Sequence, residues 1–263
     1  MADTASRKSS NPNGSGVQSL ERALDILELL GNSPGELGVT EIGPSVGLAN
    51  GTAHRLLSTL TYRGYVLRNP RSRKYALGPK TLYLASSAGE QLGPLARPFL
   101  EELMKVSRES SNLAVLDRES VVYLDQVPAD RMVRMFTEPG NRVTPHSSGT
   151  GKVLLAYQPE TVVDSVIRRS GLPRYTSHTI TDLGRLKEKL AAIREQGYGI
   201  DSEEMEEGVR CLAAPVFGPD GNILAGISVS GPAGRLDEGR LEELIPHIKR
   251  IAGDFSESLG GSD

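Results

Sequence analysis

Seven basic side chains, Arg55, Arg63, Arg68, Arg71, Arg73, Lys74 and Lys80, fall within 48 residues, 42–89, that contain no Asp or Glu. A one-signed run of this kind attracts a polyanion, and double-stranded DNA is the partner whose phosphates it suits. A solvated surface or a plain protein-binding module gives the same composition, so the elements carrying these residues have to decide. A second constellation is the loop HSSGTGK at 146–152. It is not a nucleotide-phosphate loop, because His146 stands where that pattern needs its first glycine and Val153 where it needs Ser or Thr. What remains is a set of backbone N–H groups at a helix start, beside the Ser148 and Thr150 hydroxyls, which can hold a carboxylate. A helix cap without a ligand accounts for the loop equally well. The third is the hairpin RCLAAPVFGPDGNILAGISVSGP, 210–232. Strand alternation puts Ile223, Ala225, Ile227 and Val229 on one face and Gly226, Ser228 and Ser230 on the other, a surface suited to a small polar ligand unless the serines merely face water.

Catalysis finds little support. Cys211 is the one cysteine, so there is neither a disulfide framework nor a Cys-rich metal site, and no metal or cofactor is implied. As a nucleophile Cys211 would need a base such as His146 or His178, and nothing in the spacing joins them. In an apolar strand an inert thiol is expected. His178 and His247 stand alone and read as surface or packing residues. The chain is expected not to be an enzyme.

The elements expected to position these residues run in order. Residues 1–16 are polar and read as a disordered tail. VQSLERALDILELLG is an amphipathic helix with Val17, Leu20, Leu24 and Leu27 on its apolar side and Gly31 at its end. A short helix then begins at Thr40 as N-cap, contains Gly43 and Pro44, and stops at Gly47. A third helix follows with Asn50 as N-cap, burying Ala53, Leu56, Leu57 and Leu60 and presenting Thr52, Arg55 and Thr59, with His54 and Ser58 on its flanks. YVLRN and KYALG, joined by NPRSR, form a basic hairpin. Helix, short helix, turn, helix and hairpin make a winged helix-turn-helix, whose third helix enters the major groove. Arg68, Arg71, Arg73 and Lys74 would contact phosphates, and Thr52, His54, Arg55 and Ser58 would read bases. Thr40, Asn50 and Gly51, at the starts of the two helices, complete the set expected at DNA.

Residues 79–92 read as a linker helix with a role in dimer contact, its apolar side made by Leu82, Leu84, Ala85 and Ala88. Beyond it come a helix from Pro94, a hairpin over NLAVL and VVYLDQV, a further strand within VRMFTEPGNRVTP, the 146–152 loop with its helix, two more helices, the 210–232 hairpin and a closing helix with Leu241, Leu244, Ile248, Ile251 and Phe255 buried. The acidic run DSEEMEEGVR reads as mostly solvated loop charge.

Taken together, VQSLERALDILELL, GLANGTAHRLLSTLTYRGYV, KYALGPKTLYL, HSSGTGKVLLAY and GYGIDSEEMEEGVRCLAAPVFGPDGNILAGISVSGP resemble the IclR family of bacterial transcriptional regulators, from about Val17 to Leu259. The resemblance implies an α+β chain: a winged helix-turn-helix at 17–78, the linker helix at 79–92, and at 93–259 a GAF-like effector-binding domain, an antiparallel sheet with helices. It further implies a dimer or dimer of dimers, and a pocket formed by the 147–152 loop and the 210–232 hairpin. There the backbone of Gly149 and Thr150 and the side chains of Asp201, Cys211, Ser228 and Ser230 match effector contacts, with carboxylates or polyols as ligands. Where many members carry Pro-Lys-Ser, this chain has Ala49, Asn50 and Gly51, a variant similar to actinobacterial regulators of the glycerol operon type, and it lacks that lysine.

The charge distribution agrees with two partners. The net charge is −3, but residues 17–88 carry eight basic and five acidic side chains while 89–263 carry twenty and twenty-seven. No apolar run reaches the roughly 20 residues of a membrane helix and the first residues lack a signal core, so the protein is expected in the cytoplasm.

Overall fold

The computed structural model describes residues 17–33 and 35–260, with only the backbone given at Asn32 and at 85–91. The tail expected at 1–16, and the Ala85 and Ala88 side chains, lie outside it. The chain divides into two compact units between Gly89 and Glu90.

The first unit contains α1 (Gln18–Asn32), α2 (Val39–Ser45), α3 (Asn50–Tyr62) and the antiparallel pair β1 (Val66–Arg68) and β2 (Tyr75–Leu77). Its core joins Ile26, Leu30, Ile42, Leu48, Ala53, Leu57, Leu60, Val66 and Tyr75. The apolar side of α1 expected from its leucines is therefore misplaced. Val17, Leu20 and Leu24 are exposed, and Ile26 and Leu30, with Ala23 and Leu27 beside them, make the buried stripe. Two leucine-bearing stripes overlap on this helix, and packing against α3 selects the one containing isoleucine.

The capping residues also differ from expectation. Helix α1 continues through Gly31 to Asn32. Helix α2 starts one residue before Thr40, from Gly38, whose N–H donates to the Glu41 carboxylate at 2.7 Å. Helix α3 is capped by the Ala49 carbonyl, which accepts from the Thr52 and Ala53 N–H groups, so Asn50 is already inside it. Gly43 is more than a weak helix former. A Cβ there would lie 2.8 Å from Asn50 Oδ1 and 2.9 Å from the Leu48 carbonyl, so its bareness lets α2 approach the start of α3.

Helix α4 (Pro79–Ser107) is one 29-residue helix containing Pro94 and Pro98, not a linker helix followed by a second one. Proline removes a helical hydrogen bond but ends a helix only when packing does not offset the loss. Here Ala96, Leu100 and Leu103 are fully buried in the second unit's core.

The second unit is built on a six-stranded antiparallel sheet, order β5-β4-β3-β8-β7-β6. Its strands are β3 (Ser110–Asp117), β4 (Ser120–Val127), β5 (Arg142–Val143), β6 (Gly199–Ser202), β7 (Val209–Phe217) and β8 (Ile223–Pro232). On one face Leu113, Leu212, Ala225, Ile227 and Val229 pack on the C-terminal half of α4 and on α8 (Glu238–Gly260), through Leu241, Leu244, Ile248, Ile251 and Phe255. The other face is covered by α5 (Gly149–Ala156), backed by α6 (Glu160–Ser170) and α7 (Leu183–Gln196). The strand expected inside 133–145 is absent apart from Arg142 and Val143. The preceding segment is an irregular loop with Met132, Val133 and Phe136 exposed, held by hydrogen bonds from side chains instead of a ladder.

Candidate functional site

In the first unit, α3 turns Ala53, Leu57 and Leu60 inward and leaves Asn50, Gly51, His54, Arg55 and Ser58 exposed, with Thr52 half-buried. This is the face expected at a groove. Thr40 is exposed on α2 and caps nothing.

The wing is less purely basic in space than in sequence. Glu36 accepts from Asn69 Nδ2 and Ser72 Oγ, both at 2.7 Å, and these bonds hold its carboxyl below the usual range. Lys74 pairs with Glu41 at 3.3 Å. Both acids lie just ahead of the acid-free window, and the fold brings them back onto it. Arg68 is engaged as well: its Nε donates to the Arg73 carbonyl and its guanidinium lies 5.6 Å from the centre of the Tyr75 ring. Arg55, Arg71 and Arg73 are exposed without an ion pair among the described residues. Arg73 holds a left-handed backbone, φ 58°, at the tip of the turn.

In the second unit the strand register explains how distant residues meet. One row across the sheet reads Ser110, Ser230, Cys211, Asp201, and the next reads Gln126, Asn112, Ser228, Ala213, Gly199. All of these side chains lie on the face under α5, and Ser228, Ser230, Asn112 and Asp201 are buried, so the hairpin serines do not face water. Asn112 Nδ2 donates to Ser228 Oγ and Ser230 Oγ, each at 3.4 Å, and Gln126 Nε2 donates to Asn112 Oδ1 at 2.8 Å. The irregular loop is tied to the same network, since Thr137 N–H donates to Gln126 Oε1 and Ser110 Oγ donates to the Met135 carbonyl.

Glycine sets the helix flush on the sheet. A Cβ at Gly226 would meet Thr150 Cγ2 at 2.8 Å, and one at Gly149 would meet the Cys211 sulfur at 3.0 Å. Ser148 acts as the N-cap of α5, accepting the Gly151 N–H at 3.0 Å. The Thr150 N–H and the Ser228 and Ser230 hydroxyls surround Cys211, while burial pushes its thiol up. That thiol is an unpromising nucleophile, and neither His146 nor His178 contacts it among the described residues. His146 is buried, lies 3.0 Å from the Pro173 carbonyl through Nε2, and has its pKa lowered by burial. Thr150 Oγ1, buried on the covered face, has no hydrogen-bond partner among the described residues.

Two of the five acids in 201–207 are not loop charges. Asp201 is 4% exposed, accepts the Glu204 N–H at 2.7 Å, and burial raises its pKa to about 7. Glu204 is buried against Lys152, which is wholly inaccessible and whose pKa burial lowers. The pair requires this partnership, because either charge alone would be left desolvated. Lys152 was visible in the sequence only as part of a failed phosphate loop, and nothing marks Glu204 among its acidic neighbours. Ser110 and Asn112 carried only a faint signal, two polar residues two apart at the start of SSNLAVLD and so on one face of a strand.

A winged helix-turn-helix joined to a unit with a buried polar surface beneath a helix start defines a two-part DNA-binding regulator. The comparisons with known proteins specify it. Residues 19–70 match the IclR helix-turn-helix domain, and 88–257 match the bacterial transcriptional regulator IclR C-terminal domain. The chain belongs to the IclR family. It is 38% identical over 243 residues to the HTH-type transcriptional regulator BhcR of Paracoccus denitrificans, covering 92% of this chain and 87% of that one. It is 36% identical over 249 residues to the transcriptional repressor IclR of Escherichia coli, covering 93% and 91%. Among solved structures, IclR of Thermotoga maritima superposes with TM-score 0.63 at 30% identity, over 93% of this chain and 99% of that one. An IclR homologue from Microbacterium hydrocarbonoxydans complexed with 4-hydroxybenzoate gives 0.58 at 25% identity, over 91% and 99%. These relatives are transcriptional regulators, not enzymes, and among the described residues no helix is long and apolar enough to cross a membrane.

Proposed function

We propose that this regulator is a ligand-responsive repressor that binds operator DNA in the cytoplasm as a dimer or tetramer and senses a small carboxylate or polyol. Binding takes place between the start of α5 and the polar rows of the sheet. The observation that carries the reading is the fully buried Thr150 Oγ1, without a partner among the described residues, on the same covered face as the Asn112, Ser228 and Ser230 network. A buried hydroxyl without a partner is costly unless something occupies the space beside it. The ligand would use the Gly149 and Thr150 main chain with Asp201, Cys211, Ser228 and Ser230, at a helix start that favours negative charge. Support also comes from the relative crystallised with 4-hydroxybenzoate, itself a small carboxylate. On DNA, α3 reads bases through Thr52, His54, Arg55 and Ser58 while Arg71 and Arg73 grip phosphates, with Arg68 and Lys74 beside them.

The test is a mobility-shift titration on the DNA upstream of the gene, with a thermal-shift screen of small carboxylates and polyols. Specific retardation weakened by a screened compound is expected, and Ser228→Val should abolish the thermal shift while leaving DNA binding intact. Absence of specific retardation at any salt concentration refutes the DNA reading. Retardation that no stabilising compound alters would mark a constitutive binder whose second unit serves oligomerisation alone.

A further inference from the structure

The geometry points to a second small-molecule site in the C-terminal unit, a cationic crevice that takes a compact polyanion such as a phosphorylated or tricarboxylate metabolite. The crevice has a volume of about 550 Å3 and is lined by Lys105, Arg108, Arg131, Arg235 and Arg240, with Glu109 as the one acid on its wall among the described residues. Asp130 borders the adjoining space. Five cations converge here on a portion of the chain that is acidic as a whole.

Two of the five are held in place by the fold. Arg235 forms a bidentate pair with the buried Glu109 at 2.5 and 2.8 Å and also donates to the Val133 carbonyl at 3.0 Å. Arg240 donates to the Val106 carbonyl at the end of α4 at 2.8 Å and pairs with Glu243. Capping of α4 thus explains Arg240. The dipole of α4 likewise favours Lys105 in its last turn, but it does not account for Arg131, which lies outside the helix. The side chains of Lys105, Arg108 and Arg131 are exposed and have neither an ion pair nor a hydrogen bond among the described residues. Arg108 is the telling member. It follows the last residue of α4 with φ 60°, the left-handed position where helices ordinarily place glycine. An arginine there accepts backbone strain, and the side chain is what the chain keeps in return. Planar guanidinium groups fixed around a concavity match phosphate and carboxylate oxygens. One loop joins the crevice to the ligand-binding face proposed above, because Arg235 holds it at Val133 and Ser110 holds it at Met135.

Isothermal titration of the full chain with inorganic pyrophosphate, and separately with citrate, at constant ionic strength tests this. Saturable binding is expected, weakened at least tenfold by Arg131→Glu and by Arg108→Gly. The second substitution suits the local backbone, so its melting temperature should match or exceed that of the unaltered protein. A merely structural Arg108 would predict a lower one. Preference for one anion identifies phosphate or carboxylate as the chemistry sensed. No saturable heat with either anion, or unchanged affinity in both variants, overturns the site.

Discussion

Asp201 shows what a single buried group does to the whole. Its carboxyl is desolvated beneath α5, and neither Lys152 nearby nor the donated Glu204 N–H cancels that cost, so its pKa is raised to about 7. The sign follows from the direction. Below the ordinary carboxylate range the group is protonated in both folded and unfolded chains and its contribution to stability is complete. As pH rises toward about 7 the unfolded chain ionises and the folded chain does not, so stability is lost, by at most about 1.4 kcal/mol per pH unit. Asp201→Asn should therefore melt higher than the unaltered protein at pH 8, with the gap closing as pH falls to 4. Superimposable melting profiles across that range would show that Asp201 ionises normally.

At the scale of elements, what was legible follows from punctuation. Gly47 takes positive φ just beyond the helix it was expected to end, as Gly64 and Gly197 do after α3 and α7. The 210–232 hairpin forms around its turn with Ala225, Ile227 and Val229 on one face as strand alternation required, but a bulge turns Ile223 to the other face. Three features were not legible. The N-caps Gly38 and Ala49 have no capping side chain of their own, so residue type does not mark them, although Gly38 uses the Glu41 carboxylate three residues on. The continuity of α4 depends on a core assembled from distant strands. The 128–141 loop is ordered by hydrogen bonds to Ser110 and Gln126, partners set by register rather than by neighbourhood. Gly226 is the element-scale feature most open to test. Gly226→Ala should destabilise by about 1–3 kcal/mol in urea, because its methyl would press Thr150 Cγ2 and α5 cannot retreat without losing its packing. Adding Thr150→Ser, which deletes that methyl, should restore a large part of the loss. A neutral Gly226→Ala would mean that α5 is not seated as described.

For the whole molecule, the two halves of opposite charge separate the partners. Operator affinity should fall steeply with salt through the first unit's free arginines. Arg71→Ala and Arg73→Ala should each reduce the slope of log affinity against log salt by about 0.9. Lys74→Ala should change it much less, because Lys74 already has Glu41 as its partner; equal slopes for all three variants would contradict that difference. The fold of both units was readable from several separated motifs, whereas the acids that return to the wing were not, since they act across 33 to 36 residues of chain. Their presence has a thermodynamic consequence. A phosphate that captures Lys74 must displace a carboxylate fixed to the protein, and that carboxylate, held beside the DNA, opposes the neutralisation through which condensed cations are released. If the wing meets DNA as proposed, it carries its own competitor, which would weaken attachment to an arbitrary backbone and leave discrimination to α3.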